Sequence, residues 1–154
     1  MDSRHLGDPG TPAFTVEKYP FFQLNRLAGR YNGVIEPRLR AIGLDIPSWR
    51  VLMVLGERAP RSVRDIADAA VIPLSTMTRI VQRMAASELV TTAASASDGR
   101  ATEVWLASLG EQKLVQARQA TAPVYAQVIE GFSASDFDRL LVLLGRLYAN
   151  LEPL

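Results

Sequence analysis

Between Ser62 and Leu106 the hydrophobic period of the chain changes, and this change restricts the fold more than any other feature of its 154 residues. Ser62-Val-Arg-Asp65 reads as a capping box in acidic form, in which a hydroxyl and a carboxylate satisfy orphan amides at a helix start. It opens a short helix through Ile66, Ala67 and Ala70. After Val71-Ile72-Pro73, the apolar residues Leu74, Met77, Ile80, Val81 and Met84 recur at helical spacing. Two short helices joined by so tight a connection describe a helix-turn-helix. Leu89-Val-Thr-Thr92 and Thr102-Glu-Val-Trp-Leu106 are then β-prone, with the small, turn-like stretch from Ala93 to Gly99 between them. That is a hairpin with Asp98-Gly99 near its tip and Arg100 just beyond, placed where a winged helix carries its wing.

The flanks are helical. From about Glu17 to Ile42, Phe22, Leu24, Leu27, Tyr31, Val34, Ile35 and Leu39 keep a helical spacing that ends at Gly43, and Pro37 implies a kink or a break. Asp45-Ile-Pro-Ser48 opens the next helix, with Ser48 as its expected N-cap and an apolar face from Trp49, Val51, Leu52 and Leu55. Another long helix is expected from about Ser108 to Gly131, interrupted at Pro123, and Ser133-Ala-Ser-Asp136 caps the last one. There Phe137, Leu140, Leu141, Leu143, Leu144, Leu147, Tyr148 and Leu151 are apolar almost all round. A helix of that kind is covered on more than one side. A two-fold dimer with interdigitating terminal helices covers it economically, and an intramolecular bundle is the alternative. The expected fold is therefore mainly α with a small β-hairpin wing: a flexible arm over 1–15, a winged helix-turn-helix over 45–107, and a helical dimerisation region over 16–44 and 108–154.

Composition narrows the chemistry. A hydrophobic content of 48% fits a folded protein, and a formal charge of +1 means that any affinity for nucleic acid comes from local arrangement. There is no cysteine, and His5, the single histidine, lies in a Gly/Pro-rich leader. Thiol sensing, histidine-based metal sites and the common nucleophile–base pairs are thus not expected, and neither is a cofactor or an enzyme activity. No apolar run of about 18 residues exists to span a membrane, and no apolar core of a signal peptide is found, so a cytoplasmic protein is expected.

The second helix of the helix-turn-helix is unusual for a surface helix, because no acid occurs between Asp68 and Glu88. Its outer face carries Ser75, Thr76, Arg79, Gln82 and Arg83. Short hydroxyls at a helix start permit close approach to a DNA groove, and arginine one turn on can bind guanine O6 and N7 in bidentate fashion. In the plainer reading Ser75 and Thr76 merely cap an amphipathic helix.

Taken in order, Trp49-Arg-Val-Leu-Met-Val-Leu55, Ser62-Val-Arg-Asp-Ile-Ala67, the helix from Pro73 to Met84, Leu89-Val90, Asp98-Gly-Arg100 and Leu106-Ala-Ser-Leu-Gly110 resemble the MarR (multiple antibiotic resistance regulator) family of bacterial transcription factors. The likeness runs from about Val16 to Leu151. It implies a homodimer that binds a pseudo-palindromic double-stranded DNA operator, most often as a repressor, with two recognition helices about 34 Å apart. It also implies a small, often aromatic, effector between the dimerisation region and the winged domain. By position, Ser75, Thr76, Thr78 and Arg79 would approach bases and phosphates, with Thr78 nearer the buried side in the helical count. Arg83 would contact phosphate or anchor the wing, Arg100 would reach the minor groove, and Asp98 would hold it. Arg61, Ser62 and Arg64 are added because a helix N-terminus favours an anion; a solvated charged corner is their alternative.

The chain departs from the family pattern in its wing. Ala93-Ala-Ser-Ala-Ser97 is small and uncharged, a glycine separates Asp98 from Arg100, and Ser87-Glu88 stands where a basic residue and glycine are common. Fewer cations imply modest affinity and a shallow salt dependence. The same poverty motivates a runner-up: a dimeric winged helix that works as a protein-interaction module. For the effector, Phe22, Tyr31 and Trp49 are candidate pocket walls and Arg26 or Arg50 a candidate carboxylate partner, against the alternative of core aromatics and solvated arginines.

Overall fold

In the computed structural model, which describes residues 2–152, the expected winged helix-turn-helix is formed. The elements are α1 (Pro20–Arg40), α2 (Ile46–Glu57), β1 (Arg61–Ser62), α3 (Val63–Ala70), α4 (Leu74–Ala86), β2 (Val90–Ala94), β3 (Thr102–Leu106), α5 (Ser108–Val128) and α6 (Ala134–Ala149). The outermost ends of the arm and of the C-terminal region, residue 1 and residues 153–154, lie outside the described residues. The leader read as a flexible arm carries two short 3-10 turns, Arg4–Gly7 and Val16–Lys18, linked by the Thr15 N–H donating to the Leu6 carbonyl at 2.8 Å.

The chain divides into two units between Ala120 and Thr121. In the first, α2, α3 and α4 pack on one another around Leu52, Ile66, Met77 and Met84, all fully buried. α1 runs through Pro37 without the break that the sequence allowed. The carbonyl deprived of its N–H partner is that of Gly33, and both residues are exposed, so the carbonyl is accessible to solvent. α1 stops at Gly43 as expected: its φ of 80° lets the Leu44 N–H reach back to the Leu39 carbonyl at 2.9 Å. Lys113 of α5 donates to the Ile42 carbonyl at 2.6 Å, a cation placed on the negative end of α1.

The start of α2 corrects the sequence reading. Its N-cap is Asp45, not Ser48, and the Asp45 carboxylate accepts the Ser48 N–H at 2.9 Å. Pro47 decides this, since a residue without an N–H suits the first turn of a helix and not the position before it. Burial raises the Asp45 carboxyl pKa, but hydrogen bonds from Ser48 and the charge of Arg83 outweigh it and leave the group below its ordinary value. The Ser62 Oγ accepts the Asp65 N–H at 3.1 Å, and the full box forms at α6, where Ser133 and Asp136 cap each other.

The sheet has the antiparallel order β1-β3-β2, with Val90 opposite Leu106 and Ala94 opposite Thr102. β1 is absent from the sequence reading, because two residues cannot show an alternation. It pairs Arg61 with Val104 and Ser62 with Glu103, tying the start of α3 to the wing. α4 ends without glycine: Glu88 takes the left-handed conformation at φ 63°, and the Leu89 N–H returns to the Met84 carbonyl at 2.9 Å. α5 starts close by, and Gly110 lies where an added Cβ would run into the Leu89 carbonyl, an oxygen already held by the Ala107 N–H at 3.0 Å.

In the second unit no residue of α6 is buried. Leu140, Leu141, Val142 and Leu143 are exposed, and Tyr148 is 83% exposed. Pro123 does not divide α5, which is a single helix to Val128. No helix among the described residues is long and apolar enough to cross a membrane.

Two glycine exchanges of opposite sign test the α4–α5 junction by urea denaturation. Glu88→Gly relieves a left-handed residue and should stabilise the protein by up to about 1 kcal/mol. Gly110→Ala should destabilise it by about 1–3 kcal/mol through overpacking against backbone. The Asp45 cap predicts a pH dependence. Because its folded-state pKa is depressed, its contribution is present above about pH 4 and is lost as pH falls through the folded-state value. The stability difference between the wild type and Asp45→Asn, followed by thermal melting from pH 7 to pH 2, should therefore shrink towards zero at the acid end.

Candidate nucleic-acid interface

α4 presents the face that its acid-free sequence implies. Met77, Ile80, Val81 and Met84 are buried, whereas Ser75, Thr76, Thr78, Arg79, Gln82 and Arg83 are exposed. The N-cap is Pro73 and no side chain caps the helix, so Ser75 and Thr76 are not spent on capping. Thr78 is more exposed than the helical count suggested. Its Oγ1 donates to the Leu74 carbonyl at 2.9 Å.

A cleft of about 660 Å³ separates the start of α3 and α4 from the wing tip, lined by Ser62, Arg64, Thr78, Asp98 and Arg100 among others. Ser62 and Arg64 meet Arg100 here because β1 registers against β3, which brings the first turn of α3 beside the strand leading from the wing. Asp98 holds the turn and not the guanidinium: its Oδ1 accepts the Arg100 N–H at 3.0 Å, and its carbonyl accepts the Ala101 N–H at 3.0 Å. Among the described residues Arg64, Arg79 and Arg100 form no ion pair within 4.0 Å. Unpaired guanidiniums at Arg64 and Arg100, with the Ser62 and Thr78 hydroxyls in the same cleft, suit a phosphate backbone. The uncharged wing is internally bonded, with the buried Ser95 Oγ at 3.1 Å from Ser97 Oγ and 3.4 Å from Glu103 Oε1.

Two of the expected contacts are engaged elsewhere. The Arg83 guanidinium is tied to the start of α2, at 2.9 Å from Asp45 Oδ2 and 3.3 Å from Ser48 Oγ, and does not anchor the wing. The Arg61 side chain is only 12% exposed and bonds the Arg58 carbonyl at 3.1 Å and Glu57 Oε2 at 3.3 Å. The partners of Arg83 lie outside its helix, 38 and 35 residues earlier, so helical position alone did not reveal them; those of Arg61 lie three and four residues before it.

A second cavity, of about 440 Å³, opens between α1, α2 and the end of α3. Tyr31, Trp49 and Arg50 line it as anticipated, together with Asn32, Met53 and Val71. Phe22 and Arg26 do not. At about 100° per residue, nine positions carry Phe22 half a turn away from Tyr31 on α1, and Arg26 sits almost as far round. Both are exposed. Burial raises the Tyr31 pKa, so the phenol keeps its proton and can donate. The Trp49 Nε1 is buried without an acceptor. The lining is thus apolar with a few polar groups, as in small-molecule pockets. Val71 was the least legible member, since nothing in its residue type announces a left-handed turn.

The MarR family model matches residues 42–101. The HTH-type transcriptional repressor IacR of Pseudomonas putida is 37% identical over 147 residues, which cover 96% of this chain and 88% of that one. A MarR-family regulator from Silicibacter pomeroyi has the same fold, with a TM-score of 0.81 at 22% identity over 91% of this chain and 94% of that one. CouR from Rhodococcus jostii RHA1, in a structure bound to p-coumaroyl-CoA, gives a TM-score of 0.77 at 20% identity over 86% and 94%. A CouR structure bound to a 23-mer DNA duplex gives 0.75 at 19% identity over the same shares. The extent of the likeness to IacR, joined to the winged helix described above, means that this chain belongs to the MarR family of winged helix-turn-helix transcriptional regulators, a non-enzymatic class.

Proposed function

We propose that the protein is a homodimeric repressor that holds a pseudo-palindromic operator and releases it when a small aromatic molecule fills the cavity between α1, α2 and α3. The observation that carries the DNA reading is the acid-free outer face of α4, with Arg79 exposed and unpaired and Thr78, on the same helix, lining a cleft with Arg64 and Arg100. Ser75, Thr76 and Arg79 read the major groove, while Ser62, Arg64, Thr78 and Arg100 seat the flanking backbone. The dimer reading is supported by the row of exposed apolar residues on α6, far more than an isolated chain leaves in water. A second copy covers it and sets two recognition helices one helical turn of DNA apart. The repressor sense follows IacR, and the idea of an effector is supported by CouR and by the cavity that holds Trp49 and Arg50.

Selection from a random duplex library, followed by binding of the recovered site at several salt concentrations, tests this reading. An inverted repeat and a dimer in analytical ultracentrifugation are expected. No enriched sequence from a folded dimer would overturn it in favour of a protein-interaction module. The two backbone-seating arginines of each protomer, Arg64 and Arg100, predict about four neutralised phosphates and a slope of log K against log salt near −4. Arg64→Ala should reduce the slope by about 2 in the dimer, whereas Arg79→Ala should relax the base preference of the recovered site. Arg83→Ala should weaken binding with the slope unchanged, because its guanidinium holds α2.

A further inference from the structure

The corner between α1 and α2, residues 41–45, is held by cations from two other helices. Lys113 of α5 donates to the Ile42 carbonyl at 2.6 Å, and Arg83 of α4 lies 2.9 Å from Asp45 Oδ2 and 3.3 Å from Ser48 Oγ. The two shorter bonds are charge-assisted, the stronger class of hydrogen bond. Among the described residues Lys113 forms no ion pair within 4.0 Å, so no carboxylate draws it away from the corner.

Between the two grips the corner has little freedom. Leu44 is buried, and its N–H returns to the Leu39 carbonyl at 2.9 Å. Asp45 Oδ1 accepts the Ser48 N–H at 2.9 Å while Oδ2 takes Arg83, so one carboxylate both starts α2 and receives α4. A rigid corner transmits a displacement, whereas a loose one absorbs it. The helices on either side need such a fixed point. Apolar burial is non-directional, so the buried stripe of α4 decides which face is inside more firmly than it decides where the axis points. Arg83, in the last turn of α4, supplies direction. Lys113 does the same for α5, where Leu114 beside it is buried and fills the space that a Cβ on Gly56 would need.

We propose that this corner is the joint by which α5 aims the recognition helix, with Lys113 and Arg83 as its two positioning residues. The inference rests on the reading above that two copies hold an inverted repeat, and it names the groups that decide which half-site spacing they accept. α5 is one helix from Ser108 to Val128, so it runs from the winged unit, which ends at Ala120, into the second unit. A change in the direction of α5 is carried by Lys113 to the Ile42 carbonyl, by the held corner to Asp45, and by Arg83 to α4. A base pair added between half-sites moves the next one by about 3.4 Å and turns it by about 35°. A stiff joint rejects that displacement, and a broken one accommodates it. Neither cation touches DNA in this scheme, so the joint governs spacing and leaves the salt slope alone.

The test begins without DNA. Lys18 and Lys113 are the only lysines in the sequence, so NMR of protein carrying isotope-labelled lysine reads the joint directly. The Lys113 ammonium protons should exchange with water about tenfold or more slowly than those of the exposed Lys18. Equal exchange overturns the grip, and this measurement needs no variant to fold. In Lys113→Met, hydrogen exchange at the Ser48 amide should accelerate about tenfold or more, with no such change in Lys18→Met. Unchanged protection at Ser48 overturns the relay. With the inverted repeat recovered by selection as probe, the wild-type dimer should lose about tenfold or more in affinity when one base pair is added between the half-sites. Lys113→Met should cut that penalty to about threefold or less with an unaltered salt slope, and adding Arg83→Met should change it little further, because both cut one chain of contacts. A variant that is merely less stable binds every spacing less tightly and keeps the wild-type penalty; that result, or effects of the two substitutions that simply add, overturns the joint. Failure to recover any operator sinks the repressor reading and leaves the two exchange measurements to decide whether α5 holds the corner.

Discussion

The apolar seam of Leu52, Ile66, Met77 and Met84, from which water is wholly excluded, is what makes the remainder of the winged unit possible. α3 has eight residues, fewer than an isolated helix needs to persist in water. Its stability comes from packing between α2 and α4, and the same packing turns the polar residues of α4 outward. The seam therefore does two things through one arrangement: it holds short helices together, and it displays Ser75, Thr76 and Arg79 on a surface without a carboxylate.

Polar contacts add direction to that seam. Asp45 caps α2 and at the same time receives Arg83 from α4, so the orientation of the recognition helix depends on an N-cap 38 residues earlier. β1 ties the first turn of α3 to the wing, which brings Arg64 and Arg100 to one cleft although they are far apart in sequence. The wing is poor in charge, but its serines bond to one another and to Glu103, so its shape is maintained by hydrogen bonds and its one arginine stands free at the tip.

The apolar faces tell the other half of the story. α6 has no buried residue in the isolated chain, and the symmetric partner proposed above would cover it with no further sequence required. In the proposed dimer, short helices in the winged unit and long helices between protomers would separate two tasks, base contact and spacing. A cavity against the turn between α3 and α4 is well placed to link them.

Features encoded within a few residues were legible from the sequence. The Ser133–Asp136 box, the Ser62 cap, the Gly43 stop, the buried stripe of α4 and the hairpin are all set by local hydrogen bonding or by a period that neighbouring residues repeat. Much of the candidate interface was legible for the same reason, since one helix face carries it. What the sequence did not reveal depends on groups distant along the chain. Examples are the commitment of Arg83 to Asp45, 38 residues earlier, and the pairing of the two-residue strand β1 with β3. The left-handed turn at Val71 belongs with them, because its residue type argues against that conformation and only the packing of α3 on α2 imposes it. Local chemistry determined which elements form and which face of each is polar; tertiary packing decided which polar groups satisfy one another and which are left free for a partner.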